Sequence, residues 1–262
     1  MTDSLRFEIE GAIATITLNR PERLNAFTWE MIDAWAEALV ECRTNDAISV
    51  VIVTGAGKAF CSGGDIGEMQ KRGDHTPLDR KTELERHVHK IPLALEALDK
   101  PVIAAINGAA TGAGLDLALM ADLRIAAEGA RLGETYVKVG LVPGAGGAWF
   151  LPRLVGTAKA LELFWTGDLV DAHEAERIGL VNQVVPDAEL MTATRALAEK
   201  IARGPQLSIR FIKRAVKEGM HSDLRAALDL ISSHYAVVAT SADHREAVNA
   251  YLEKRKPVFT GR

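Results

Sequence analysis

The sequence predicts an α/β fold in which a core of mainly parallel strands is followed by a purely helical C-terminal region. Three observations carry that prediction. Apolar, β-branched runs such as ISVVIVT (48–54) and VIAAI (102–106) alternate with amphipathic helical segments, and that alternation calls for crossover connections between parallel strands. After Pro186 the strand pattern stops and only helical periodicity remains. No Pro/Ser-rich linker separates the two parts, so one domain spans 1–262, with a core to about residue 190 and a helical region over about 191–262.

Taken in order, FEIE, a glycine and GAIATITL read as two strands joined by a turn, an opening β-hairpin. From Thr28, TWEMIDAWAEALVEC places Met31, Ile32, Trp35, Leu39 and Cys42 on one helical stripe before the strand at 48–54. A polar helical segment then runs to about Asp99. The strand VIAAI follows Pro101, a short helix starts near Gly112, and DLRIAA and LVNQVV read as further strands. PVIAAINGAATGAGLDLALMA has the length of a membrane span, but Asn107, Thr111, Asp116 and its glycines make it a buried strand, loop and helix instead. Four amphipathic helices close the chain: DAELMTATRALAEKIARG, PQLSIRFIKRAVKEG, DLRAALDLISSHYAVVA and HREAVNAYLEKRK. No fixed-period repeat or low-complexity tract is present.

Composition narrows the function classes. The 262 residues are 48% hydrophobic and 25% charged, with a net charge of -4, an ordinary globular balance that gives no basic field for nucleic acid or an acidic membrane. The opening MTDSLRFEIEG is charged before any apolar run develops, so no secretory signal is expected. Two cysteines, Cys42 and Cys61, provide neither a disulfide framework nor metal-ligand spacing, which points to the cytoplasm and to no bound metal. His87 and His89 lie in the charged run KTELERHVHK and read as part of a solvated helix face.

Chemistry is suggested by glycines. In KAFCSGGDIGEM (58–69), Ser62, Gly63 and Gly64 sit between a strand and a helix. In NGAATGAGLDLALMADL a second cluster again follows a strand and opens a helix, so backbone N–H groups near Ala113 lack intrahelical acceptors. Two such donors aimed at one point form an oxyanion hole, which stabilises an enolate or a tetrahedral intermediate.

The segments LNRPERLNA, KAFCSGGDI, KPVIAAINGAATGAGLDLALMADLRIA and GLVPGAGGAWFLPRLVG, in that order, resemble the crotonase (enoyl-CoA hydratase/isomerase) superfamily, and the likeness runs from about residue 5 to the final FTGR. The resemblance implies a spiral of ββα units with a C-terminal helical trimerisation region, a homotrimer or a dimer of trimers. It implies an acyl-CoA thioester whose carbonyl is held by the N–H groups of Gly64 and Ala113. Coenzyme A enters as part of the substrate, and no further cofactor is expected. Substrate-binding positions carried over are Arg23, Lys58, Ser62, Asp65, Ile66 and Gly112.

Two departures bear on the reaction. Hydratases of the superfamily use two glutamates; at those positions this sequence has Asp116 and Tyr136. An aspartate remains a carboxylate, whereas a phenol with an unperturbed pKa of about 10 is a weak base and a good donor. GLVPGAGGAWFLPRLVG and the FTGR ending are also similar to isomerases of phenylacetate degradation, which place an aspartate after the proline, where this chain has Gly144. Asp116, in an apolar setting from Leu115, Leu117 and Trp149, is therefore expected to carry the proton chemistry, with Tyr136 orienting water or a substrate group and Glu134 as its substitute. The leading reaction is hydratase/lyase chemistry through an enolate. Isomerisation, decarboxylation and thioester hydrolysis are the alternatives within the class, and a silent acyl-CoA-binding or RNA-binding homologue is the alternative outside it. The polar segment 73–90 reads as a mobile lid over the acyl end.

Overall fold

The computed structural model describes residues 2–71, 73 and 75–261. Strands β1 (Leu5–Glu10) and β2 (Ile13–Leu18) form the antiparallel hairpin. From there β3 (Val50–Gly55), β5 (Val102–Ile106), β7 (Leu123–Ala127) and β10 (Gln183–Val185) add in parallel, giving the sheet order β1-β2-β3-β5-β7-β10. A second sheet, β4-β6-β8-β9, is built from the short strands β4 (Ala59–Cys61), β6 (Ala109–Thr111), β8 (Arg131–Gly133) and β9 (Val170–Asp171).

Each long strand β3, β5 and β7 turns directly into a short strand of the second sheet before the chain continues through helical segments. That is the ββα unit, repeated three times without any sequence repeat. The three-residue strands leave no trace in the sequence pattern, because AFC, AAT and RLG are too short to show a period. The 180–185 strand is confined to Gln183–Val185. The stretch 147–178, for which the sequence reading gives no element, holds helices Gly147–Val155, Thr157–Thr166 and Ala172–Arg177.

The main sheet is covered on both faces, which explains its continuous apolar strands. Val51 and Val53 of β3 point into the larger core, while Val50 and Ile52 point into a second cluster closed by Leu190 and Ala198 of helix Leu190–Ala202. Helix Trp29–Thr44 starts at Thr28, whose hydroxyl accepts from the Met31 N–H at 3.3 Å, and buries Met31, Ile32, Trp35, Leu39 and Cys42 as the stripe requires. At its far end the buried Lys100 ammonium donates to Cys42 O and Asn45 O, both at 2.7 Å, satisfying carbonyls the helix leaves open.

The last three helices, Gln206–Gly219, Leu224–Ala239 and Ala242–Leu252, bury few residues and leave Ile212, Val216, Leu224, Leu228 and Ile231 exposed. No helix among the described residues is long and apolar enough to cross a membrane, and 101–121 is strand, strand and helix.

Candidate active site

Two asparagines, the buried Asn25 and the half-buried Asn107, hold the turn from β3 to β4. Asn25 Nδ2 donates to Ala56 O (2.9 Å) and Ala59 O (2.7 Å), and Asn107 Nδ2 donates to Gly57 O (3.0 Å) and Ala59 O (3.1 Å). The chain then enters the first glycine cluster. Gly63 has φ +99°, a conformation that a side chain would strain. Its carbonyl accepts from the Phe27 N–H at 2.9 Å, and the Asp65 N–H donates to Phe27 O at 3.1 Å. The pairing brackets Gly64 and leaves its N–H outside the ladder.

The second cluster faces the first. A Cβ built on Gly63 would lie 3.6 Å from the Ala113 nitrogen and 3.2 Å from Thr111 O, and the Thr111 hydroxyl donates to Ser62 O at 3.3 Å. Ala113 is the first residue of helix Ala113–Leu119, so its N–H has no intrahelical acceptor. Gly64 and Ala113 thus belong to two loops packed on one another, each with a backbone donor that no acceptor among the described residues consumes. A Cβ on Gly64 would meet the Met69 methyl at 2.4 Å, the end of a flexible side chain, so packing alone gives only a soft reason for glycine there.

One turn further along this helix, Asp116 is 0% exposed. Its Oδ2 accepts from the Tyr136 hydroxyl at 2.6 Å and from the Ala145 N–H at 3.1 Å. Burial pushes the Asp116 carboxyl above the usual carboxylate range, and the donors from Tyr136, Glu134 and the Gly147 and Ala145 amides pull against that rise. Tyr136 is half-buried; burial first, and then the charge of Asp116, hold its phenol well above the ordinary value. Glu134, directly after β8, is also 0% exposed, and burial together with Asp116 pushes it up to about 10. Space for the Asp116 carboxyl is made by Gly147, where a Cβ would lie 1.9 Å from Oδ1. Leu115 and Leu117 are buried on either side of Asp116, whereas Trp149 is 43% exposed and packs against Phe150, His221 and the Arg153 guanidinium.

The positions carried over for coenzyme A are dispersed around the first loop. Arg23 and Lys58 are exposed, Ile66 projects at 69% exposure, and Ser62 Oγ donates to Arg23 O at 3.5 Å. Asp65 is bonded to Arg20 at 3.0 Å, and its Oδ1 accepts from the Gly67 and Glu68 N–H groups, capping helix Ile66–Lys71. Gly112, φ +52°, lies against Thr135 and Tyr136.

The segment read as a polar lid is structured over its described part. Helix Pro77–Glu83 opens on a Thr76 capping box, passes through a π-turn at Leu84–Val88 and continues as helix Lys90–Glu96; Asp74, inside the expected lid, lies outside the described residues. The two histidines are not solvated bystanders. His87 stacks on Trp29 with centroids 4.8 Å apart and lies 3.4 Å from Asp33, and His89 Nε2 bonds to Gly144 O at 3.1 Å. A built Cβ on Gly144 would touch Leu84 at 3.6 Å. Sequence reading missed this anchoring, since a π-turn shifts the helical register and hides which face the histidines take.

Loops offering two backbone donors, beside a buried carboxylate with a tyrosine partner, form a site suited to holding a negatively charged oxygen and moving a proton next to it, the site of an acid-base enzyme. The comparisons agree. The family model described as enoyl-CoA hydratase/isomerase matches residues 8–262. A probable enoyl-CoA hydratase of Rhodobacter capsulatus is 40% identical over 99% of this chain and 98% of its own length. The 1,2-epoxyphenylacetyl-CoA isomerase of Escherichia coli is 38% identical over the whole of both chains. The crystal structure of an enoyl-CoA hydratase subunit from Geobacillus kaustophilus superposes with a TM-score of 0.92 at 37% identity, covering 99% of this chain and 98% of that one. The chain belongs to the enoyl-CoA hydratase/isomerase family, and its fold is the crotonase fold of mixed α/β units.

Proposed function

We propose that the protein adds water to a 2-enoyl-CoA thioester through an enolate. The observation that carries this reading is the Asp116 carboxylate, buried one helical turn from the Ala113 N–H and bonded to the Tyr136 hydroxyl. In this reading the thioester carbonyl oxygen accepts from the Gly64 and Ala113 N–H groups. Water oxygen bonds to Cβ, and the π pair moves through Cα onto the carbonyl oxygen. The proton lost by water goes to Asp116, and the same proton is returned to Cα as the enolate collapses. Hydration needs a net transfer of one proton from oxygen to carbon, so a single carboxylate suffices. Tyr136 orients Oδ2 and water, since its raised pKa keeps it a donor.

Isomerisation is the second reading, favoured by the 38% identity to the Escherichia coli isomerase. Gly144 supports hydration over it, because a glycine moves no proton. Arg23, Lys58, Ser62, Asp65, Ile66 and Gly112 hold the coenzyme A portion in this account, with no separate cofactor, in a cytoplasmic trimer or dimer of trimers. Support for the oligomer comes from the unpaired apolar side chains of the last three helices; a 28 kDa monomer in light scattering would remove it. The reaction is tested by incubating the protein with a panel of 2-enoyl-CoA and 3-enoyl-CoA thioesters and weighing the products. A gain of one water on 2-enoyl substrates is expected, and double-bond migration without water gain would replace hydration by isomerisation.

A further inference from the structure

Asp116 and Glu134 present an unusual count of donors. Oδ2 of Asp116 has two, from Tyr136 and Ala145. Among the described residues, Asp116 Oδ1 and both oxygens of Glu134 are buried with no donor in ordinary hydrogen-bond geometry. Both residues are fully buried, and the Gly112 N–H donates to Gly133 O at 2.8 Å, which seats Glu134 beside the start of the Asp116 helix. Beyond the rise that burial causes in both, contact between the two carboxyls raises Glu134 and works to lower Asp116. Two carboxylates offer acceptors only, so this contact is satisfied only if a proton lies between them; unpaired, each buried charge would be severely penalised. The donor count also decides where the proton sits. Asp116 already receives the Tyr136 hydroxyl and the Ala145 amide, with the Gly147 amide also acting on it, and all three favour its anion, whereas no other group among the described residues donates to Glu134.

We propose that Glu134 is a positioning residue for the catalytic carboxylate: its protonated carboxyl donates to Asp116 Oδ1 and fixes the anion with Oδ2 turned to Tyr136. The pair carries one proton and one negative charge. The titratable groups facing it are these two carboxyls and Tyr136, and the raised value of Glu134 is what a shared proton in a buried pair requires. The inference deepens the proposed reaction and rests on Asp116 as its base, but the shared proton is a property of the folded protein alone.

Two variants test it. Glu134→Gln keeps a neutral N–H donor toward Oδ1 and cannot titrate; Glu134→Leu fills similar space with no donor. In the substrate-free protein, Glu134 is protonated in the fold and ionised in the unfolded chain above its ordinary value of about 4.5. Its proton therefore stabilises the fold fully below about pH 4.5, and that contribution is lost progressively as pH rises to about 10. The melting temperature of wild type should fall relative to Glu134→Gln by several degrees between pH 5 and 8. A gap that stays constant with pH overturns the shared proton. In turnover of crotonyl-CoA, Glu134→Gln should keep kcat/KM within about tenfold. Glu134→Leu should lose about 10²-fold and move the acid limb of the pH profile up by about one unit, because Asp116 has lost a donor. Equal damage in both variants, or a Glu134→Leu profile identical to wild type, overturns the positioning role. If wild type hydrates no enoyl-CoA while the pH-dependent stability gap is present, the proposed reaction falls and the shared proton stands.

Discussion

Replacing Gly147 by alanine probes the fit of the Asp116 carboxyl by sterics alone. The added Cβ would lie 1.9 Å from Oδ1, 2.8 Å from Cγ and 3.2 Å from Oδ2, so the nearest approach is 3.4 − 1.9 = 1.5 Å short of ordinary contact. Gly147 is the first residue of a helix and has no positive φ, so alanine suits the backbone and only the carboxyl can yield. Asp116 cannot rotate away without stretching the 2.6 Å bond from Tyr136 and the 3.1 Å bond from Ala145. Overpacking of this kind costs about 1–3 kcal/mol, which in a chain of this size lowers Tm by about 2–12 °C. Losing the bond from Tyr136 to a charged oxygen is worth about 1.5–3 kcal/mol, so kcat/KM should fall by about 10- to 150-fold. Differential scanning calorimetry and crotonyl-CoA turnover read the two effects. The double variant Gly147→Ala/Asp116→Ala removes the clash and should be no less stable than Asp116→Ala alone, a clear non-additivity. Wild-type Tm and full turnover in Gly147→Ala would refute the close fit on which the geometry of Asp116 rests.

Gly64→Pro deletes an N–H that the fold does not use, so turnover should fall by about 10²–10³ while circular dichroism and Tm change little; unchanged turnover would place the donor elsewhere. Asn25→Ala leaves the Ala56 and Ala59 carbonyls short of a donor and should cost about 1–3 kcal/mol in urea unfolding, with the loop of Gly63 and Gly64 loosened; a loss under 0.5 kcal/mol would show that Asn107 alone holds the turn.

Much of the fold was readable because its strands and helices are long enough to show a period. ISVVIVT and VIAAI are core strands, and every residue on the stripe from Met31 to Cys42 is buried. The second sheet was not readable from the residues, since three-residue strands such as Ala109–Thr111 are defined by their neighbours and not by their own pattern. At the site, the glycine clusters pointed to Gly64 and Ala113 because free N–H groups follow from a strand-turn-helix pattern. Asp116 and Tyr136 came from position in a motif. Their 2.6 Å bond joins residues twenty apart, and no local pattern encodes it. Glu134 was readable only as a substitute for Tyr136, because its place two residues before the tyrosine shows neither its burial nor, among the described residues, its lack of donors, which follow from the position of β8 between β6 and β9. The histidines misled for a related reason, because the π-turn redirects a charged helix face onto Trp29 and Gly144.

Proton exchange at Cα tests the central claim most directly. A saturated acyl-CoA such as butyryl-CoA has no double bond to hydrate, yet its Cα proton exchanges with deuterated solvent if the thioester enolate is stabilised and a base stands beside it. Mass spectrometry or proton NMR follows the incorporation. The account predicts exchange by wild type, a loss of at least about 10²-fold in Asp116→Asn, whose amide accepts no proton, and retention within about tenfold in Tyr136→Phe, because a phenol held well above its ordinary pKa positions Asp116 without carrying the proton. Undiminished exchange in Asp116→Asn together with its loss in Tyr136→Phe would contradict the account and make the tyrosine the base.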